Sequence, residues 1–348
     1  MHIYSNENRA YYFLMTRIAI NGFGRIGRSF FRAAFGAGEF EIVAINDLTD
    51  TKTLVYLLRY DSVYGRYGKP VEAGEGHLTV DGKDIRVLAE KDPANLPWRD
   101  LNIDIVIEST GFFTASEKAK AHLDAGAKRV VITAPATGDM TTALIGVNDD
   151  RFAGAKPITC NASCTTNSVA PVIAIVKDAF GIVKGSMATV HAYTATQKLV
   201  DGPDEKDLRR GRAAAVNIIP STTGAAEAVI QAIPELAGKF NAVAIRVPTI
   251  IGSLSISTLE ISRNTTAEEV NEIFRKAAAD PRWKKSIAVT EDPIVSSDII
   301  GEPYGAVVDL TLTKVIDGNL IEIFSWYDNE AGYTSTLVEH VKRVVALI

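Results

Sequence analysis

Two cysteines in 348 residues are too few for a disulfide framework or a four-thiolate zinc site. An excess of either charge is also missing: 37 lysines and arginines against 42 aspartates and glutamates leave a formal net charge of −5. That excludes a broad basic field able to hold nucleic acid or an anionic membrane non-specifically. No apolar run approaches the ~20 residues of a membrane helix, and no repeat or low-complexity tract occurs. The opening MHIYSNENRAYYFL lacks the ordered features of a secretory signal. Residues 1–14 therefore read as a loose extension ahead of Met15, and the sparse cysteine suggests a reduced, cytoplasmic setting. What remains is an ordinary globular composition, 47% hydrophobic and 23% charged. At about 150 residues per domain, the length suggests two domains.

The first half alternates strand and helix patterns. Arg17–Asn21, Glu41–Asn46, Ile103–Glu108 and Arg129–Thr133 read as strands, with helices over about Arg25–Ala37 and Ala115–Ala125. That order argues for parallel βαβ units, interrupted by a hairpin at Asp81-Gly82. Beyond about residue 185 the runs lengthen and alternate: Ser186–Tyr193, Ala242–Val247, Ser253–Ser262, Ala306–Lys314 and Asn319–Trp326. They predict a large mixed or antiparallel sheet, with helices near Thr223–Ala232 and Thr266–Ala279 and a last one over Gly332–Ile348. Residues 195–217 have no clean period and read as a long functional loop. The expected fold class is α/β: a Rossmann-type dinucleotide-binding domain plus a catalytic α+β domain, with a boundary near Cys164.

Gly22-Phe23-Gly24-Arg25-Ile26-Gly27 spells G-x-G-x-x-G between a strand and a helix, and the next strand ends in Asp47, 20 residues beyond Gly27. That context makes a weak string into a dinucleotide fingerprint. Gly22 allows the tight turn, Gly24 lets a pyrophosphate approach the backbone, and Gly27 lets helix and strand pack closely. Arg25 and Ile26 offer backbone contacts, and Arg28 suits a surface or interdomain pair. Asp47 can accept the ribose hydroxyls and would repel a 2′-phosphate, so the expected cofactor is NAD.

Cys164 lies in Asn161–Asn167 (NASCTTN), where the helical pattern Ser168–Phe180 begins. A helix start stabilises a thiolate and lowers its pKa, and His191, ending a strand, could shuttle its proton. Cys160 reads as a buried, inert thiol. His2, His77, His122 and His340 fall in polar or helical-surface contexts, and no metal site is expected.

The motifs GFGRIGR (Gly22–Arg28), AINDL with Asp47, SCTTN (Ser163–Asn167), HAYT (His191–Thr194), RRGR (Arg209–Arg212), STTGAA with Thr223-Gly224, Arg246-Val247-Pro248 and WYDNE (Trp326–Glu330) occur in order. From Met15 to the C-terminus the chain resembles the phosphorylating glyceraldehyde-3-phosphate dehydrogenases of glycolysis. The resemblance implies Cys164 as the nucleophile that forms a thiohemiacetal and then a thioester, with His191 as base. It implies Thr194 and Arg246 at the substrate phosphate, and Ser163, Thr165, Thr223 and Gly224, with Arg209 beside them, for inorganic phosphate. Arg210 is expected to belong to a solvated or subunit-bridging cluster, and Arg212 either to that cluster or to the phosphate site. Asn329 would fix the nicotinamide carboxamide, with Tyr333 near the ring and Lys91 and Thr133 as further cofactor contacts. Pro203 and Leu48 resemble the NAD-using branch.

The same resemblance implies a homotetramer whose 195–217 loop reaches a neighbour's cofactor. It divides the chain into an NAD-binding domain of 15–163 and 328–348 and a catalytic domain of 164–327. Three departures stand out: Ser168 where the family often has a second cysteine, Thr196 where some bacterial members carry Asp, and Ala331 for a common aromatic. The rival readings are an erythrose-4-phosphate dehydrogenase, a cysteine hydrolase built from Cys164, His191 and Asn167, and a non-catalytic binding role.

Overall fold

The structure, a computed structural model, describes residues 15–205 and 207–348. The expected loose extension 1–14 lies outside the described residues. In chain order the first part runs β1 (Thr16–Asn21), α1 (Arg25–Ala34), β2 (Phe40–Asn46), α2 (Thr51–Arg59), β3 (Tyr60–Asp61), β4 (Gly65–Arg66), β5 (Val71–Gly74), β6 (His77–Val80) and β7 (Lys83–Leu88). It continues with β8 (Ile105–Glu108), α3 (Ser116–Asp124), β9 (Arg129–Ile132), β10 (Thr141–Thr142) and β11 (Ile158–Cys160). All but β3 and β4 form one sheet in the order β10-β11-β9-β8-β1-β2-β7-β6-β5. From β10 to β7 every pair is parallel, whereas β7-β6 and β6-β5 are antiparallel. The β6–β7 turn carries Asp81 at φ 51° and Gly82 at φ 77°, the doubly left-handed backbone that the Asp-Gly pair favours. Because β1 lies between β2 and β8, the strand order reverses there, and a crevice opens at the strands' carboxyl ends.

The second part begins with α4 (Cys164–Phe180) and β12 (Ile182–Ala192), then β13 (Ile219–Ser221), α5 (Ala225–Ala232), β14 (Phe240–Val247), β15 (Ser253–Ile261) and α6 (Ala267–Ala279). It ends with β16 (Ile287–Thr290), β17 (Ala306–Asp309), β18 (Lys314–Ile316), β19 (Leu320–Tyr327) and α7 (Ala331–Val345). Its eight strands run β13-β14-β12-β15-β19-β17-β16, with β18 on β19. The sheet is mixed, since β12-β14 and β16-β17 are parallel. Val169, Ile173 and Val176 of α4 pack with Val229 of α5, Val270 and Phe274 of α6 and the sheet's Leu259 and Ile321. Helix α7 packs instead on the first core: Tyr333, Leu337, Val341 and Val344 join Ile18, Ile20, Phe30 and Phe31.

Three expectations change. The run Ala306–Lys314 is two strands, because Asp309 breaks it. Its Oδ1 accepts the Thr311 amide (3.1 Å) and hydroxyl (2.6 Å), and its Oδ2 accepts Trp326 Nε1 (3.0 Å), which starts a short 3-10 turn. His122 and His340 are both fully buried rather than on helical surfaces. Trp98 Nε1 donates to His122 Nδ1 (3.0 Å), leaving Nε2–H for Glu108 (3.0 Å). Among the described residues Arg28 makes neither a surface nor an interdomain ion pair; its Nη1 donates to the Phe23 carbonyl (2.7 Å), back onto its own turn.

Candidate active site

The crevice beside β1, β2 and β8 holds a cavity of about 540 Å³ lined by Gly22, Gly24, Asp47, Leu48, Lys91 and Phe112 among others. Gly22 adopts φ +92°, and a Cβ on Gly27 would sit 2.1 Å from the Gly22 carbonyl oxygen, so both positions demand glycine. A Cβ on Gly24 would meet nothing within 4 Å, which leaves the backbone there open to a ligand. Gly24 is also the N-cap of α1 and supplies no side-chain cap, so first-turn N–H groups remain for an anion. Asp47 is aimed by two amides: Oδ2 accepts from Phe23 (2.7 Å) and Oδ1 from Thr49 (2.9 Å). Each oxygen keeps a lone pair for a ribose hydroxyl. The residues present thus fit a dinucleotide. Ile26 is half-buried against the core, and the Arg25 side chain turns away to Glu330 and Asp61. Thr133, at the end of β9, donates its hydroxyl to the Glu108 carbonyl (3.1 Å), and Lys91 stays exposed on the cavity rim.

Cys164 is the first residue of α4, whose N-cap Ser163 accepts the Thr166 amide through Oγ (3.1 Å). Its Sγ lies 3.5 Å from His191 Nε2. His191 and Arg246 are register partners on the parallel strands β12 and β14. His191 Nδ1 therefore lies 2.7 Å from the Ala192 carbonyl oxygen and 2.6 Å from Arg246 Nη1. The two neighbours favour opposite tautomers. The carbonyl calls for Nδ1–H and leaves Nε2 a lone pair for the thiol proton; the guanidinium calls for a proton on Nε2, facing a thiolate. Burial, with the Arg246 charge, pushes His191 down to about 3, so the imidazole is neutral at ordinary pH. Burial also pushes the Cys164 thiol up, although Arg246 and Thr165 pull it down. In that balance desolvation outweighs the helix start, against the lowering expected from the sequence. Cys160 behaves as read, buried, with burial raising its thiol to about 11.

Asn167 donates Nδ2 to the carbonyls of Asn161 (2.7 Å) and Ser163 (3.0 Å), not to His191, so the hydrolase triad does not assemble. Thr194 and Thr196 share a hydroxyl contact (3.1 Å). Thr223 Oγ1 accepts the Ala225 amide (3.2 Å) beside Gly224, the N-cap of α5. Thr165 is buried, its hydroxyl 3.1 Å from that of Tyr327. Asn329 Oδ1 accepts the Gly252 amide (3.1 Å) and Ser253 Oγ (3.4 Å), which leaves Nδ2 as its free donor. Tyr333 is buried and donates to the Ala162 carbonyl (3.2 Å).

Residues 16–116 match the family described as glyceraldehyde 3-phosphate dehydrogenase, NAD binding domain, and residues 163–329 its C-terminal domain. A glyceraldehyde-3-phosphate dehydrogenase of Thermotoga maritima is 54% identical over 96% of this chain and 100% of its own length. Those of Clostridium acetobutylicum and Mycobacterium avium are 50% and 49% identical, over 93% and 95% of this chain and 97% and 99% of theirs. The chain belongs to the glyceraldehyde 3-phosphate dehydrogenase family. It is an NAD-dependent oxidoreductase, and its first part is that family's NAD-binding domain.

Within this family member two neighbouring arginines point differently. Arg209 is exposed, whereas Arg210 donates Nη2 to Thr196 Oγ1 (3.1 Å). Both belong to the 3-10 turn Leu208–Gly211, in which successive residues point about 120° apart. Arg210, not Arg209, thus reaches the threonine pair. Tyr327 was also missed: its hydroxyl bridges Thr165 and Thr189 (2.8 Å), and its ring stands edge-on to His191 at 5.8 Å. It lies inside the WYDNE motif, at a buried position of the alternating strand β19. Among the described residues no helix is long and apolar enough to cross a membrane, and no cluster of three or more metal-ligating side chains occurs.

Proposed function

We propose that the protein oxidises glyceraldehyde 3-phosphate with NAD and passes the acyl group to inorganic phosphate, forming 1,3-bisphosphoglycerate. The observation that carries this is the Cys164–His191 pair, 3.5 Å apart at a helix start, with Arg246 against the imidazole. His191 takes the thiol proton as Sγ attacks the aldehyde carbon and returns it to the former carbonyl oxygen, giving a thiohemiacetal on Cys164 beside a neutral imidazole. NAD, which the Gly24 turn, Asp47 and Asn329 would hold, would supply the hydride acceptor for that adduct. His191 holds the hydroxyl proton as the thiohemiacetal collapses to a thioester, which keeps the oxidation energy available for phosphate attack. His191 is buried and Cys164 only partly exposed, which limits the water that would otherwise hydrolyse that thioester.

Arg246, Arg210, Thr194 and Thr196 supply the donors for the substrate's phosphate, since guanidinium forks match phosphate oxygens. An anion there offsets the charge that depresses His191, so the imidazole becomes a better proton acceptor as substrate arrives. Thr223, Gly224 and Ser163 border the place for the attacking phosphate. Asn329 Nδ2 and Asp47 hold the two ends of the cofactor, with Tyr333, Lys91 and Thr133 around them.

This reading gives residues 15–163 and 328–348 to the cofactor and 164–327 to catalysis. It places the reaction in glycolysis and, in reverse, gluconeogenesis, in a cytoplasmic enzyme. The test is acyl-phosphate formation, trapped with hydroxylamine, from glyceraldehyde 3-phosphate, NAD and phosphate. Phosphate-independent turnover, or a faster rate on erythrose 4-phosphate, would move the assignment to the rival dehydrogenase. The exposed apolar side chains Leu199, Val200, Leu208, Val216 and Ile218 support a homotetramer built through the 195–217 loop and its neighbours. Sedimentation at the mass of four chains is the expected result, and a stable monomer would refute it.

A further inference from the structure

Arg25 is the first residue of α1, directly after Gly24, yet its guanidinium does not face the crevice. Nε lies 2.9 and 3.1 Å from the two Glu330 carboxylate oxygens, Nη2 also pairs with Glu330, and Nη1 donates to Asp61 Oδ2 at 2.5 Å. Every nitrogen of the fork is thus engaged by protein carboxylates. The Glu330 and Asp61 side chains are largely shielded, at 13% and 7% exposed, so these pairs persist where a surface ion pair would contribute little.

The partners tie into the turn that carries Asn329. Asp61 is itself oriented by the amides of Val63 (2.8 Å) and Tyr64 (3.1 Å). The Tyr64 ring lies under the Arg25 guanidinium, and its hydroxyl donates to Asp328 Oδ1 (2.8 Å) while accepting the Ala331 amide (3.2 Å). Asp328 also accepts the amides of Glu330, Ala331 and Gly301, each at 2.8 Å. Asn329 sits in the middle of this staple. One side of the network is thus the phosphate-binding turn, and the other is the amide proposed to hold the nicotinamide.

We propose that Arg25 is a positioning residue that locks the Asn329 turn onto the phosphate-binding turn and fixes the separation of the two ends of the dinucleotide site. This rests on the cofactor roles given above to Gly24 and Asn329. Only a planar fork can serve two carboxylates in this way, so charge alone does not suffice and lysine is not an equivalent. The effect reaches the cofactor through Asn329, so it falls on the nicotinamide half rather than on the whole ligand.

The test compares binding of NAD with binding of ADP-ribose, which keeps the adenosine and pyrophosphate but lacks the nicotinamide. Calorimetry is run on the full chain and on Arg25→Gln, Arg25→Lys and Glu330→Gln. The expected result is that all three weaken NAD by about tenfold more than ADP-ribose, and that Arg25→Lys does not restore the difference. Equal losses for both ligands, no loss at all, or full rescue by lysine would overturn the proposal. If Arg25→Gln does not fold, Glu330→Gln carries the same comparison with Asp61 still in place. A wild-type chain that binds neither ligand would instead sink the cofactor reading itself.

Discussion

At 3.5 Å from a buried imidazole, the Cys164 thiol is held in a site where burial opposes charge on either partner. The pair therefore rests as thiol and neutral imidazole, and the thiolate forms by transfer to Nε2. His191→Asn removes the acceptor, so the pH midpoint of Cys164 alkylation should move upward and kcat should fall by roughly 10² to 10⁴. An unchanged alkylation profile would show that His191 does not handle this proton. His340 makes a separate pH statement. It is buried between Thr159 Oγ1 (2.8 Å) and the Ala143 carbonyl (3.2 Å), and burial pushes it down to about 4. The unfolded chain, near 6.5, takes up the proton first, so stability is full above that pH and declines as pH falls towards 4, by roughly 3 kcal/mol in all. His340→Gln should flatten this acid limb in urea titrations at several pH values. A variant that keeps the wild-type slope would assign the limb to other groups.

At the scale of elements, caps and breaks decide what a periodic pattern cannot. The helical pattern read from Ser168 leaves out the first turn of α4, because Thr165, Thr166 and Asn167 are polar residues that are nevertheless buried. The Ser163 cap places Cys164 at the first helical position, and that signal was legible in SCTTN. Helix α6 offers a cap away from the chemistry, where Thr266 Oγ1 accepts the Glu269 amide (3.2 Å). Thr266→Ala should lower stability by ~1 kcal/mol and leave kcat unchanged; a loss of kcat at full stability would mean that α6 takes part in function. The two-residue strands β3, β4 and β10 carry no readable period. Arg209 and Arg210 are likewise indistinguishable until the 3-10 turn fixes their directions. For His122 and His340 the partners that permit burial, Trp98 with Glu108 and Thr159 with Ala143, are distant in sequence.

At the scale of the whole molecule, the parallel sheet, the glycine turn and the Asp47 strand end were legible because each requirement is local. The return of α7 to the first core followed only from the family resemblance, since its Leu337 and Val341 read as any amphipathic face. The assembled chain brings Cys164 from the start of α4 together with His191 and Arg246 from adjacent strands. The claim that this centre works through a cysteine-bound acyl group is tested most directly by intact-protein mass spectrometry. With glyceraldehyde 3-phosphate and NAD but no phosphate, a phosphoglyceroyl adduct should accumulate on Cys164 and disappear when inorganic phosphate is added. Sustained NADH formation without any adduct on Cys164, or by Cys164→Ser, would contradict the account.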